Sequence, residues 1–201
     1  MPVFLILSIV FVLWLGFEIK KHSKPNNTLS DEFWKREGDA NFVRPKDISS
    51  LDYLNVPIES LPFKDNTTEA ILEVQNQILK LSQKKLLNLN GLSNTDLKYQ
   101  YGARNFDELA LCDQNYLIFI RTLNKWAHLL QTEGFTEDVK TILEYCIQLR
   151  TDISSTYTLL AEIYAKEGNY SKINDLILKA QDLNTLMKDS ILQALHSYQN
   201  Q

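Results

Sequence analysis

LNKWAHLLQTEG at residues 123–134 and YTLLAEIYAKEG at residues 157–168 are one pattern written twice, 34 positions apart. Leu123 falls on Tyr157, Trp126 on Leu160, Ala127 on Ala161, Leu130 on Tyr164 and Gly134 on Gly168. The same offset carries Val139 onto Ile173, Leu143 onto Ile177 and Cys146 onto Ala180. Every pair is apolar, aromatic or Gly. A period of this length marks a stacked helix–turn–helix repeat, in which one unit buries its apolar face only against its neighbours. Ala127 and Ala161 let the two helices of a unit approach closely. Gly134 and Gly168 permit a tight turn with positive φ.

The expected helices are 116–131 and 136–149 in the first unit, then 154–166 and 171–183 in the second. Ile142, Leu143, Cys146 and Ile147, followed by Leu176, Ile177 and Ala180, fill the seam between units. Thr136-Glu137-Asp138 offers a cap and an acidic first turn. One further shift takes Tyr157 to Ile191, Leu160 to Ala194, Ala161 to Leu195 and Tyr164 to Tyr198. The last helix, 188–200, is therefore read as a half unit that covers an otherwise exposed apolar face.

Upstream, Ile71, Val74, Ile78 and Leu81 recur at helical spacing, and Gly91 supplies a stop, so a helix is expected over 68–89. Ser93 or Asn94 caps a short helix through Tyr99. Asn105-Phe106-Asp107-Glu108 has the spacing of a capping box that starts a helix leading into the first repeat. Asp107, Glu108 and Asp113 read as a cap and a solvated face rather than as catalytic carboxylates. No His or metal-ligand cluster supports them.

Residues 31–66 resist a helical reading because Pro45, Pro57 and Pro62 interrupt them. They are nonetheless rich in large apolar residues: Phe33, Trp34, Phe42, Leu51, Tyr53, Leu54, Val56, Ile58, Leu61 and Phe63. Disordered linkers are poor in such residues. The segment is expected to be an extended arm, with 49–63 packed along the helices and a short helix within 31–41. The alternative is a peptide that docks a partner.

From Pro2 to Ile19 the only ionisable side chain is Glu18. Eighteen helical residues span about 27 Å, close to a hydrocarbon core of roughly 30 Å. Trp14 and Phe17 suit the interfacial belt. A cleaved signal peptide would carry an early basic residue and a small-residue cleavage site, and neither is present. A single transmembrane helix at 2–19 is the expectation, with 20–30 as a linker. Lys20, Lys21 and Lys24 follow the span, so the positive-inside rule places the following domain in the cytoplasm of a plasma membrane. Cys112 and Cys146, each inside an apolar pattern without CxxC spacing, agree with a reducing compartment. Asn-x-Ser/Thr triplets begin at Asn26, Asn66 and Asn169, and a cytoplasmic domain would not use them.

Leu160-Ala161-x-x-Tyr164, Gly168, Tyr170 and Ala180 resemble the tetratricopeptide repeat family. The resemblance covers about 120–153 and 154–187, plus the cap. The first unit departs at Leu130 and Cys146, and neither unit ends in Pro. The chain as a whole also resembles small, N-terminally anchored proteins of Gram-positive bacteria. The resemblance implies an all-α right-handed stack of helical hairpins over 67–201, and a scaffold that binds a protein or peptide. It implies a binding face along the first helix of each unit: Arg121, Asn124, Lys125 and His128, then Ser155, Thr158, Glu162 and Lys166. That face lacks a continuous carboxylate-binding clamp.

Charged residues make up 23% of the chain and the net charge is −4, which excludes a general basic field for nucleic acid. No Gly-rich phosphate loop, GxSxG, HExxH or CxxC is present, and His22, His128 and His196 lack evident partners. No catalytic residue, metal or cofactor is expected. The leading function is a membrane-anchored scaffold for a protein or peptide partner. The alternatives are a structural subunit of a membrane complex docking through 31–63, and an enzyme that these motifs do not reveal.

Overall fold

A computed structural model describes residues 2–22 and 27–199, leaving the side chains of residues 2, 3, 5, 21, 22 and 27–29 undescribed. Its elements are α1 (Pro2–His22), α2 (Asn27–Asn41), α3 (Glu69–Ser82), α4 (Asn94–Tyr101), α5 (Phe106–Thr132), α6 (Thr136–Gln148), α7 (Ser154–Lys166), α8 (Tyr170–Gln181) and α9 (Lys188–Ser197). Short 3-10 turns occupy Ile58–Ser60 and Ala103–Asn105. The described residues form no strand, so the fold is all-α.

The 34-residue offset survives as packing. Leu123 and Tyr157, Trp126 and Leu160, Ala127 and Ala161, and Leu130 and Tyr164 are all buried. So are Val139 and Ile173, Leu143 and Ile177, and Cys146 and Ala180. Helix α5 packs on α6, α6 on α7, α7 on α8, and α9 on both α7 and α8. Of the four positions in and just after α9 that the offset marks, Ile191 and Leu195 are buried and Ala194 and Tyr198 are half-buried. Gly134 and Gly168 turn the chain at φ 81° and 71°. Each N–H bonds back to a carbonyl three residues earlier, and the next N–H to one five earlier. That pair of bonds closes each helix end as a Schellman motif.

Several expectations are corrected. The short helix expected within 31–41 is α2, and it is longer than expected. Helix α2 starts at Asn27, inside the expected linker 20–30. It is fastened to α4: Glu37 accepts from Thr95 and pairs with Lys98, Arg36 pairs with Asp96, and Ala40 is fully buried. The later part of the arm does pack on the helices. Val56 and Leu61 are buried in the main core, and Phe63 lies 4.9 Å from the Trp126 ring.

Helix α3 ends at Ser82, not at Leu89. The extended chain beyond it sends alternate side chains to opposite sides. Leu86 enters the main core, whereas Leu87 and Leu89 enter a second core with Ile48, Leu97, Leu109 and Cys112. A continuing helix could not serve both. Its ladder bonds are replaced by Leu54 N–H to the Leu86 carbonyl and Leu87 N–H to the Cys112 carbonyl.

Helix α5 runs unbroken for 27 residues, joining what the sequence divides at Tyr116. The Asn105 capping box does not form, because the Asn105 amide instead donates to the Lys46 and Tyr101 carbonyls at 2.7 and 2.8 Å. Thr136 is the first residue of α6, which has no side-chain cap. Ser93 does form a reciprocal box with Asp96.

Helix α1 has 21 residues; it is apolar all round as far as Phe17 and ends in Glu18, Lys20, Lys21 and His22. Its large apolar side chains, Phe4 to Ile19, are exposed among those described. The Ser8 hydroxyl donates back to the Phe4 carbonyl at 2.9 Å. Among the described residues no helix is long and apolar enough to cross a membrane. The side chains of Val3, Leu5, Lys21 and His22, residues 23–26 with Lys24, and the Asn26 triplet's first residue lie outside the described residues.

Candidate functional site

The eight residues of the expected binding face divide in the structure. Arg121, Lys125, His128 and Lys166 are exposed; Asn124, Ser155, Thr158 and Glu162 are half-buried. Asn124 spends its amide within the chain, donating to the Thr156 hydroxyl at 2.9 Å and accepting from Ser155 at 3.2 Å. These two bonds tie α5 to α7. Thr158 donates to backbone carbonyls of its own helix, and Lys166 pairs with Glu162 at 2.7 Å. Arg121, Lys125 and His128 remain as an exposed basic edge of α5. None of the eight lines either of the two cavities described next.

The larger cavity is a cleft of about 680 Å³. It lies where four stretches distant in sequence converge: 52–55 of the arm, 87–90 after α3, 148–150 after α6 and 182–185 after α8, with Tyr116 of α5. Its size is that of a ligand pocket. Its chemistry is polar and nearly neutral. Asn55, Asn88, Asn90, Gln148 and Asn184 supply carboxamides, while Asp52 and Asp182 are balanced in part by Arg150.

One wall is rigid. The buried Tyr116 hydroxyl donates to the Leu149 carbonyl at 2.6 Å and accepts from the Asn88 amide at 2.9 Å. Asn88 also reaches the Leu149 carbonyl, and its own oxygen accepts from the Asn90 N–H at 3.0 Å. This network clips the α3–α4 connection to the end of α6. Burial pushes the Tyr116 phenol well above its usual range, so it stays a donor at any physiological pH. Asp113 also departs from its solvated-face reading. It is half-buried and accepts from the Leu89 N–H at 3.1 Å, and burial pushes its carboxyl up against that bond.

Two further observations mark the cleft. Asn90 Nδ2 and Thr185 Oγ1 are buried without a hydrogen-bond partner, and both residues line it. Each such atom costs about 1–3 kcal/mol while unpaired. Arg150 has φ 59°, the one described non-Gly residue in the left-handed region. Its N–H bonds the Ile147 carbonyl and the Thr151 N–H bonds that of Cys146. The α6 end therefore closes as at Gly134 and Gly168, but with Arg where those turns use Gly. An L-residue there costs roughly 1–2 kcal/mol.

The smaller cavity, about 230 Å³, lies among α6, α7 and α8. Glu144 holds it together, accepting from the Tyr164 hydroxyl and from Lys172 at 3.0 Å. Burial works to raise the Glu144 carboxyl, but the bonds from Tyr164 and Lys172 outweigh it and hold it below its ordinary value.

Cys112 and Cys146 are free and buried. Burial pushes the Cys146 thiol up to about 12 and that of Cys112 in the same direction, so both are protonated, unreactive thiols at neutral pH. Among the described residues no group of three or more His, Cys, Asp or Glu is arranged to hold a metal.

The cleft is not legible in the sequence as a site. Its residues are Asn, Asp and Arg in connections, which read as turn residues and nothing more. The one available signal was the missing Gly at the α6 end, where a 34-residue comparison of turns has Arg150 and Asn184 in register. Comparison with known proteins adds no relative: no family model, curated protein or solved structure matches this chain.

Proposed function

We propose that this protein is a membrane-anchored scaffold. In this reading α1 tethers a stack of helical hairpins, of the tetratricopeptide kind and right-handed, at the cytoplasmic surface of a plasma membrane. The stack binds a protein or peptide partner there. The observation that carries the reading is α1: apolar all round from Phe4 to Phe17, with its described large apolar side chains exposed rather than packed into a core. A helix of that character is stable only when another apolar phase covers it. Its one hydroxyl is satisfied within the helix, as a hydrocarbon environment requires. The repeated burial at a 34-residue offset supports the scaffold half of the reading. Tethering raises the local concentration of a partner without any new contact.

The test is fractionation of cells that express the full chain. The protein is expected in the membrane pellet after alkaline carbonate extraction, and removal of residues 2–19 is expected to move it to the supernatant. Protease added to intact cells is expected to leave the domain uncut. A full-length protein that extracts with carbonate would remove the anchor from the reading.

A second reading, a structural subunit of a membrane complex, is favoured by three exposed aromatics close to α1. Phe33, Trp34 and Phe42 are 53%, 66% and 90% exposed, whereas the later large apolar residues of the arm, from Leu51 to Phe63, are buried or half-buried. The docking element is then α2 and its end, not the whole of 31–63.

A further inference from the structure

We propose that the cleft among the connections, rather than the first-helix face, is where the partner binds, and that it takes an extended peptide segment through its main chain. This rests on the partner-binding reading above and names its site and ligand class.

The ligand class follows from what the cleft offers. A peptide main chain presents N–H donors and C=O acceptors in alternation. A carboxamide carries both a donor and an acceptor and so matches either. Asn55, Gln148 and Asn184 make no side-chain hydrogen bond within the described chain, and neither does the Arg150 guanidinium. Asp52 and Asp182 are likewise uncommitted acceptors for peptide N–H groups. Arg150 is a fork of donors for peptide carbonyls.

Other ligand classes fit less well. Anions are disfavoured by two carboxylates against one guanidinium. Sugars and nucleobases call for an aromatic face to stack on, yet the only aromatics here are Tyr116, which is 2% exposed, and the half-buried Tyr53. A purely apolar ligand would strand the carboxamides.

Two features independent of this inventory point to the same place. Two of the buried, unpartnered polar atoms, Asn90 Nδ2 and Thr185 Oγ1, belong to its lining residues, from two of the converging stretches. A ligand that supplies the missing partners recovers what they cost. Arg150 is held in a conformation that glycine adopts freely, so the turn itself would be better served by Gly. Strain concentrated at a cleft is a pointer to function.

The test uses the full 15N-labelled chain in detergent micelles. The probes are a pool of uncharged hexapeptides, acetylated and amidated at their ends, and maltohexaose as the sugar control. The peptides, at about millimolar concentration, are expected to shift the side-chain amide signals of Asn55 and Asn184, and maltohexaose is not. Arg150→Gly is expected to raise the melting temperature while weakening peptide binding about tenfold, and Asn55→Ala to weaken it about fivefold without changing the melting temperature. Shifts confined to Asn124 and its neighbours would overturn the cleft and leave the scaffold standing. Shifts with maltohexaose alone would overturn the ligand class, and no shift with any peptide would overturn both readings. An Arg150→Gly variant that is less stable, or binds equally well, would remove Arg150 from the site.

Discussion

Two glycines with nearly the same φ, Gly134 and Gly102, do different work. At Gly134 a Cβ would meet nothing within 4 Å, so only the backbone conformation resists substitution. At Gly102, with φ 87°, a Cβ would stand 2.6 Å from Pro45 Cα and 2.8 Å from the Arg44 carbonyl. Gly134→Ala is therefore expected to cost about 1 kcal/mol. Gly102→Ala is expected to cost at least 2–3 kcal/mol, because it adds overpacking against backbone that has no rotamer to change. Urea titrations of the two variants check the ordering, and equal losses would mean that the arm does not press on Gly102. The conformational need at Gly134 is visible from the repeat. The Gly102 contact is not, because Pro45 lies 57 positions away and no pattern links the two.

At the scale of elements, Glu144 joins three helices. It sits on α6 and takes bonds from Tyr164 on α7 and Lys172 on α8. Its carboxyl is held below the ordinary value, so its contribution is complete above the unfolded value of about 4.3 and is lost as pH falls through the lower folded value. Melting temperature is thus expected to fall as the solution is acidified below about pH 4. Glu144→Gln is expected to lower stability at pH 7 and to shrink the acid loss. It will not abolish that loss, since Glu37, Asp47 and Asp96 are depressed in the same direction. An acid limb unchanged in the variant would mean that the three-helix junction is not formed in solution.

The arm makes a second test at this scale. Residues 48–63 feed both cores, through Ile48 in one and Val56 and Leu61 in the other. Their deletion is expected to abolish cooperative unfolding. Deletion of 27–41 removes one helix whose only fully buried described side chain is Ala40 and whose ties to α4 include the Arg36–Asp96 and Glu37–Lys98 pairs and the Thr95–Glu37 bond. It is expected to leave the transition within a few degrees, measured by circular dichroism. If it also abolishes a membrane complex, α2 is the docking element.

For the whole molecule, α5 is the spine. At 27 residues it spans about 40 Å, and it belongs to both cores: Leu109 and Cys112 to the smaller, Tyr116 onward to the larger. Helix α3 also packs on α5, and its Ile71, Val74, Ile78 and Leu81 share the larger core with it.

The sequence alone determined the helical hairpins, their turns and the apolar character of α1. Those features are local: a helix buries one stripe at a fixed period, and a repeat sets the same residues against the same neighbours each time. Tertiary structure alone decided where α3 stops, the course of the arm and the existence of the cleft. An extended chain has no stripe of its own and takes its path from whichever surfaces receive its side chains. The cleft is assembled from stretches that meet only after the helices have stacked. Arg150 shows the limit most clearly, because its left-handed conformation comes from the hydrogen bonds that close α6 and not from its residue type.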